Sequence, residues 1–242
     1  AGVPQIINVY CRDNRGPKGI ISRELMYVRS GFVVKALLDP VRDEPLLLSM
    51  AGPGALCGNY ENLYVRDRMP RRHWCLTSTE VLVVNQELLL KIADQNPEWQ
   101  HELSGYSSVS SICDRMGMFL NYSGTVEERL GALLLLMLHC EKPAAMANLF
   151  SKGVEWVELP FYPDKGTIAR LLGCKFETVS DVVRQWGSHD DIRRRSRRIW
   201  LRRRTFLKYW EWLMPFMQQS RAEERAAEAL RQARRREEYD SF

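Results

Sequence analysis

Asn96-Pro97 divides this sequence, because the hydrophobic pattern changes its period there. Before it, short runs rich in β-branched and aromatic residues (Ile6 to Tyr10, Met26 to Arg29, Phe32 to Leu38, Leu46 to Met50, Glu80 to Val84) alternate with turn-forming groups such as Gly16-Pro17, Ser30-Gly31, Asp39-Pro40 and Gly52-Pro53-Gly54. Runs so short and so regularly interrupted predict strands that close into a barrel, a β-roll or an antiparallel sandwich. After it, Trp99, Leu103, Tyr106, Val109, Cys113, Met116 and Leu120 recur by threes and fours. That spacing lays one apolar stripe along a helix of about seven turns. A narrow stripe on so long a helix suits a seam between two copies of the chain, and the competing use is contact with its own sheet. Gly105 and Gly117 each lower helix stability by up to about 1 kcal/mol relative to Ala, and are expected to admit a partner helix at close range.

A second helix is predicted from Thr125, where Thr125 and Glu128 have the spacing of a capping box, through the Leu133 to Leu138 block to about His139. A helix pair follows. Asp164 caps a helix running to Leu172, Gly173 makes the turn, and another helix runs from about Lys175 to Trp186. Ile168, Leu171 and Leu172 in the first, with Val179, Val182 and Val183 in the second, supply the apolar faces that such a pair buries against a third helix. The net charge is only +5, but between Arg193 and Lys208 there are nine Arg or Lys and no acid. From Gln218 to Phe242 the chain is rich in Ala, Glu and Arg, as a charged helical tail would be.

These patterns exclude several classes. No apolar run reaches the roughly 18 to 20 residues of a membrane span, the longest being Leu130 to Leu138. The first residues lack the form of a secretory signal, so a cytoplasmic location without a membrane partner is expected. The six cysteines stand singly with no C-x-x-C pair, which predicts buried thiols and no metal or iron-sulfur site. There is no phosphate-binding loop and no nucleophile elbow, and His101-Glu102 lacks the second His of a zinc protease. An enzyme is not expected.

The segment Leu171-Leu-Gly-Cys-Lys-Phe-Glu-Thr-Val-Ser180 resembles the recognition element of the cyclic-AMP receptor protein and FNR family of bacterial regulators. Glu24-Leu-Met-Tyr-Val-Arg-Ser-Gly-Phe-Val-Val-Lys35, followed by Pro53-Gly-Ala-Leu-Cys-Gly58, is similar to that family's strand, turn, strand and Gly-x-x-x-Gly motif. Thr125-Val-Glu-Glu-Arg-Leu-Gly-Ala-Leu-Leu134 is similar to the helix that leads into its DNA-binding domain. The resemblance implies an α+β chain. A jelly-roll-like antiparallel β-roll over residues 1–95 would be the sensor, residues 96–124 a dimerisation helix, residues 125–212 a winged helix-turn-helix, and 213–242 the tail. The partners implied are double-stranded DNA, a second copy of the chain and RNA polymerase.

On this reading Lys175, Phe176, Glu177, Ser180 and Asp181 face the major groove, Glu177 accepts from a cytosine amino group, and the Thr178 hydroxyl holds a phosphate. Phe176 stands where the family usually has Arg, and Asp181 where a basic residue is common. Arg193, Arg194, Arg195, Arg197, Arg198 and Arg202 fall in the family's wing, where they would neutralise phosphates. In the sensor, Gly58, Asn59, Arg68, Arg71 and Arg72 mark the effector pocket. The family's ribose-binding Glu is here Asn59, and its phosphate-binding Arg-Ser pair falls at Met69-Pro70, which argues against cyclic AMP. His73 and Cys75 are the residues that could hold haem iron, against the simpler reading of both as structural. The function expected is a DNA-binding transcriptional regulator controlled by another effector or by none. The alternative is a dimeric scaffold whose helix pair binds a protein.

Overall fold

The computed structural model describes residues 5–9, 25–38, 45–58, 71–141, 146, 149–151, 153–196 and 198–215. Seven strands make the first half: β1 (Gln5–Val9), β2 (Leu25–Ser30), β3 (Val33–Leu38), β4 (Pro45–Ala51), β5 (Leu56–Gly58), β6 (Arg71–Cys75) and β7 (Thr79–Val84). They form two antiparallel sheets, ordered β1-β7-β2-β5 and β4-β3-β6. Five of the seven fall where the alternating runs predict them. The other two were not expected: β5 is three residues long, too short to show a period, and β6 begins with Arg71-Arg72-His73, which reads as polar.

Gly31 turns β2 into β3 with φ +83°, a conformation that costs Gly little and other residues more. A side chain there would also strike the Ser78 carbonyl oxygen, 2.4 Å from an ideal Cβ. Strand β3 is covered on both faces, since every residue from Phe32 to Ala36 is buried. Its alternation sends Val33 between the sheets, with Met26, Val28, Cys57, Cys75 and Val81. Val34, with Phe32, Leu47 and Met50, turns the other way, into the core of the second half.

Three helices follow. Asn85 caps α1 (Gln86–Gln95) and Asn96 caps α2 (Pro97–Ser123). Helix α1 lies in a stretch the sequence reading left without a helix, although Asn85 and the Leu88 to Leu90 block mark one. The capping box of α3 (Val126–Glu141) forms as predicted: the Thr125 N–H donates to the Glu128 carboxylate at 2.8 Å, and the Glu128 N–H to the Thr125 hydroxyl at 3.3 Å. Helix α3 is buried almost throughout from Leu130 to Leu138.

One face of α2 lies on the chain's own β-domain. The Asn121 side-chain amide donates to the Leu47 carbonyl at 2.6 Å, and Gly117 approaches β4 so closely that an added Cβ would stand 2.0 Å from the Leu48 carbonyl oxygen. Gly117 therefore serves the chain's own sheet, a correction to the expectation that it admits a partner helix. Gly105 has nothing within 4 Å of an added Cβ.

The second half contains β8 (Trp156–Glu158), α4 (Lys165–Leu171), α5 (Phe176–Ser188), β9 (Ile192–Arg195), β10 (Arg198–Arg202) and a helix, α6, over residues 203–215. The strands form a sheet ordered β8-β10-β9. Helix α6 crosses the boundary expected at residue 212, and the tail 216–242 lies outside the described residues. Phe206 and Tyr209 of α6 are buried, and Gly131 of α3 leaves room for the Tyr209 ring, which an added Cβ would meet at 2.2 Å. A single core joins the two halves, from Phe32, Leu47 and Met50 through α3 to Ile168, Val179 and Phe206. Phe32 and Phe161 stack across it with ring centroids 4.6 Å apart. Among the described residues no helix is long and apolar enough to cross a membrane.

Candidate functional site

The helix pair is built as its sequence predicts. The Asp164 carboxylate accepts from the Thr167 hydroxyl at 2.6 Å and the Thr167 N–H at 3.0 Å, and the bond from that hydroxyl is the main reason its pKa is lowered. Helix α4 ends at Gly173, whose φ is +57°, and the Cys174 N–H returns to the Ala169 carbonyl at 3.0 Å. This six-to-one closure satisfies a carbonyl the helix would leave open. Arg129 of α3 donates to the Leu172 carbonyl at 2.7 Å and ties the turn to the core.

Helix α5 buries Val179 and Trp186. It leaves Lys175, Phe176, Glu177, Thr178, Asp181 and Arg184 exposed, Phe176 at 51%. Ser180 is half-buried, and its hydroxyl accepts from the Lys165 ammonium at 3.3 Å. Asp181 pairs with Arg184 one turn on. The sequence reading did not single out Arg184, although its spacing of three from Asp181 was legible.

The arginine run is less free than its sequence suggests. Arg202 pairs with both Glu155 and Asp190 and lies over the Trp156 ring, 4.7 Å from its centroid. Arg198 pairs with Glu158 at 3.2 Å and Arg204 with Asp191 at 2.8 Å. The Arg203 guanidinium donates to the Leu149 carbonyl. Arg193 is exposed and stacks on Trp156 at 4.0 Å and on Trp200 at 5.8 Å. Arg194 and Arg195 are exposed and make no salt bridge with a described residue, and Arg197 lies outside the described residues. Arg202 and Arg198 thus fasten the β8-β10-β9 sheet through these pairs. The acids that hold them come from β8 and the turn before β9, beyond the acid-free run itself.

A cavity of about 380 Å³ opens between the β-domain and helices α2 and α3. Lys35 lines it and pairs with Asp114 at 2.6 Å, the two side chains being 7% and 8% exposed. Ser110 and Ser49 extend the pair, the first accepting from Lys35 at 3.4 Å and the second donating to Asp114 at 3.1 Å. His73, Cys57, Cys113 and Tyr106 also line it. The Tyr106 hydroxyl donates to the Leu56 carbonyl at 2.8 Å and accepts from the Leu56 N–H at 2.9 Å, and burial pushes its pKa up to about 12. Of the expected pocket residues, Gly58 is buried at the end of β5, Arg71 and Arg72 are on β6, and Asn59 and Arg68 lie outside the described residues.

The α2 stripe borders the cavity over part of its length. Tyr106, Val109 and Cys113 line the cavity, Val109 remaining 58% exposed, while Trp99 is 49% exposed and Leu103, Met116 and Leu120 are half-buried. Cys57 and Cys75 are buried, as expected of structural thiols, whereas Cys113 is exposed, and Cys140 and Cys174 are half-buried. Cys11 lies outside the described residues. His73 and Cys75 are both buried, and no group of three His, Cys, Asp or Glu among the described residues could hold a metal ion.

Neither a protein-family model nor a curated protein sequence matches the chain. Solved structures do. FixK2 from Bradyrhizobium japonicum superposes with a TM-score of 0.60 at 17% identity, over 86% of this chain and 92% of that one. CLP, a c-di-GMP responsive global regulator of Xanthomonas campestris, gives 0.59 at 18% identity, over 82% and 93%. A chain described as a transcriptional regulator of the Crp/Fnr family, from Eubacterium rectale, gives 0.55 at 13% identity, over 81% and 84%. At such identities the likeness is one of fold, and over more than four fifths of its length this chain has the fold of the Crp/Fnr transcriptional regulators.

Proposed function

We propose that this chain is a DNA-binding transcriptional regulator that acts as a dimer, with α4, α5 and the β9-β10 hairpin as its winged helix-turn-helix. One observation carries the reading. Helix α5 is anchored by Val179 and Trp186 and leaves Phe176, Glu177, Thr178 and Asp181 of its first two turns exposed, beside a hairpin whose Arg193, Arg194 and Arg195 have no acidic partner among the described residues. A rigid helix with an open amino-terminal face can enter a major groove, and free guanidinium groups beside it can neutralise phosphates. The exposed Trp99, with open space at Gly105, is consistent with a seam along α2.

The cavity suits an effector other than cyclic AMP, or none. Among the described residues Lys35 is its one Lys or Arg, and Asp114 already neutralises that charge, so a cyclic phosphate would gain little. A protein-binding scaffold is the second reading, and the exposed Phe176 ring favours it.

Salt dependence separates the two. Arg194→Ala with Arg195→Ala removes four cations per dimer, which at about 0.9 per phosphate lowers the slope of log affinity against log salt by about 3.6. The expected result is that loss of slope on duplex DNA, with folding unchanged. Absence of salt-dependent affinity for duplex DNA in the wild type would transfer the helix pair to the scaffold reading.

A further inference from the structure

We infer that Asp181 and Arg184 act as one unit that reads a single C·G base pair in each half-site, an inference that rests on the DNA-binding reading above. The two side chains pair on the outer face of α5 while remaining 66% and 75% exposed, so the fold does not depend on them. Asp181 also weakens the attraction of this helix for phosphates, since Glu177 already stands one turn before it on the same side. A carboxylate here is useful only against a hydrogen-bond donor.

The major groove offers two amino donors, on adenine and on cytosine, and guanine N7 and O6 and thymine O4 are acceptors. Adenine places its N7 acceptor beside its amino group, where a carboxylate is repelled. Cytosine N4 has no such neighbour. The guanine paired with that cytosine presents O6 and N7 next to the amino group, and these match a guanidinium fork. Arg has five N–H donors, so its bond to Asp181 leaves others for the guanine. The ion pair therefore presents an acceptor followed by donors, the complement of a C·G edge, which presents a donor followed by acceptors.

The test selects binding sites from random duplex DNA with the full chain and three variants: Asp181→Asn, Arg184→Ala, and the exchange Asp181→Arg with Arg184→Asp. The wild type should enrich cytosine at one position of each half-site, by about tenfold to a hundredfold over other bases. The exchange keeps the pair and reverses it, so guanine should replace cytosine at that position and nowhere else. Asp181→Asn should move the preference to adenine, and Arg184→Ala should weaken the preference for cytosine. Circular dichroism verifies that each variant is folded. A half-site whose base preferences are the same in wild type and exchange variant overturns the inference while leaving DNA binding intact. No enriched site with any form overturns both.

Discussion

Replacing Gly117 by Ala should destabilise the chain, although Ala is the better helix former by about 1 kcal/mol. An ideal Cβ at Gly117 would lie 2.0 Å from the Leu48 carbonyl oxygen and 2.6 Å from the carbonyl carbon, both backbone atoms of β4. Ordinary contact begins at 3.4 Å, so α2 and β4 must part by 3.4 − 2.0 = 1.4 Å. That distance strains the Asn121 bond to Leu47 and the Ser49 bond to Asp114, at 2.6 Å and 3.1 Å. Forcing one extra carbon into a packed site costs about 3 kcal/mol at the upper end of such changes, which leaves a net loss of about 2 kcal/mol after the helix gain. For a domain of this size that lowers Tm by about 4 to 8 °C. Gly105→Ala has open space around it and should raise Tm by about 2 to 4 °C. Thermal unfolding followed by circular dichroism at two protein concentrations measures both. A Gly117→Ala protein that melts at or above the wild type refutes the close approach of α2 to β4. A Gly105→Ala protein that loses stability in a concentration-dependent way would show a partner helix against Gly105.

Three further outcomes follow from the contacts. Arg202→Ala should destabilise the second half, because it strips Glu155, Asp190 and Trp156 of a shared partner, whereas Arg194→Ala should leave the urea midpoint unchanged. Asp114→Asn should cost about 3 to 5 kcal/mol by leaving Lys35 buried against a neutral group, and Asp114→Leu with Lys35→Met should recover most of it; urea unfolding tests both. Burial raises the Glu127 carboxyl, but hydrogen bonds from Lys208 and Tyr209 outweigh it and the pKa is lowered. Its contribution is therefore full above the ordinary carboxylate range and is lost as pH falls through the lowered folded value. Glu127→Gln should accordingly show a shallower loss of stability between about pH 6 and about pH 3 than the wild type does.

Local rules governed most of what the sequence disclosed about the fold. The Thr125-Glu128 box, the Asp164 cap and the Gly173 turn each depend on residues within four positions, and each formed as read. The stripe on α2 gave the length of the helix but did not show that Tyr106, Val109 and Cys113 on it line a cavity against the chain's own β-domain. Asp114 shows the same limit: it is buried against Lys35 of β3, a partner too far away in the chain for any local rule to connect. The arginine run hid its ion pairs for a similar reason. Density along the chain does not reveal that Glu158 on β8 and Glu155 just before it return, by strand pairing, to lie beside β10. The exposed start of α5, from Lys175 to Thr178 with Asp181, was legible in the sequence, as was the spacing of three that pairs Asp181 with Arg184.

The most direct measurement is selection of binding sites from random duplex DNA by the wild-type chain, followed by inspection of their symmetry. A regulator built as a two-fold dimer around α2 predicts an inverted repeat with half-site centres about 10 bp apart, one for each α5. Sites without two-fold symmetry, or no enrichment over the starting pool, would contradict it.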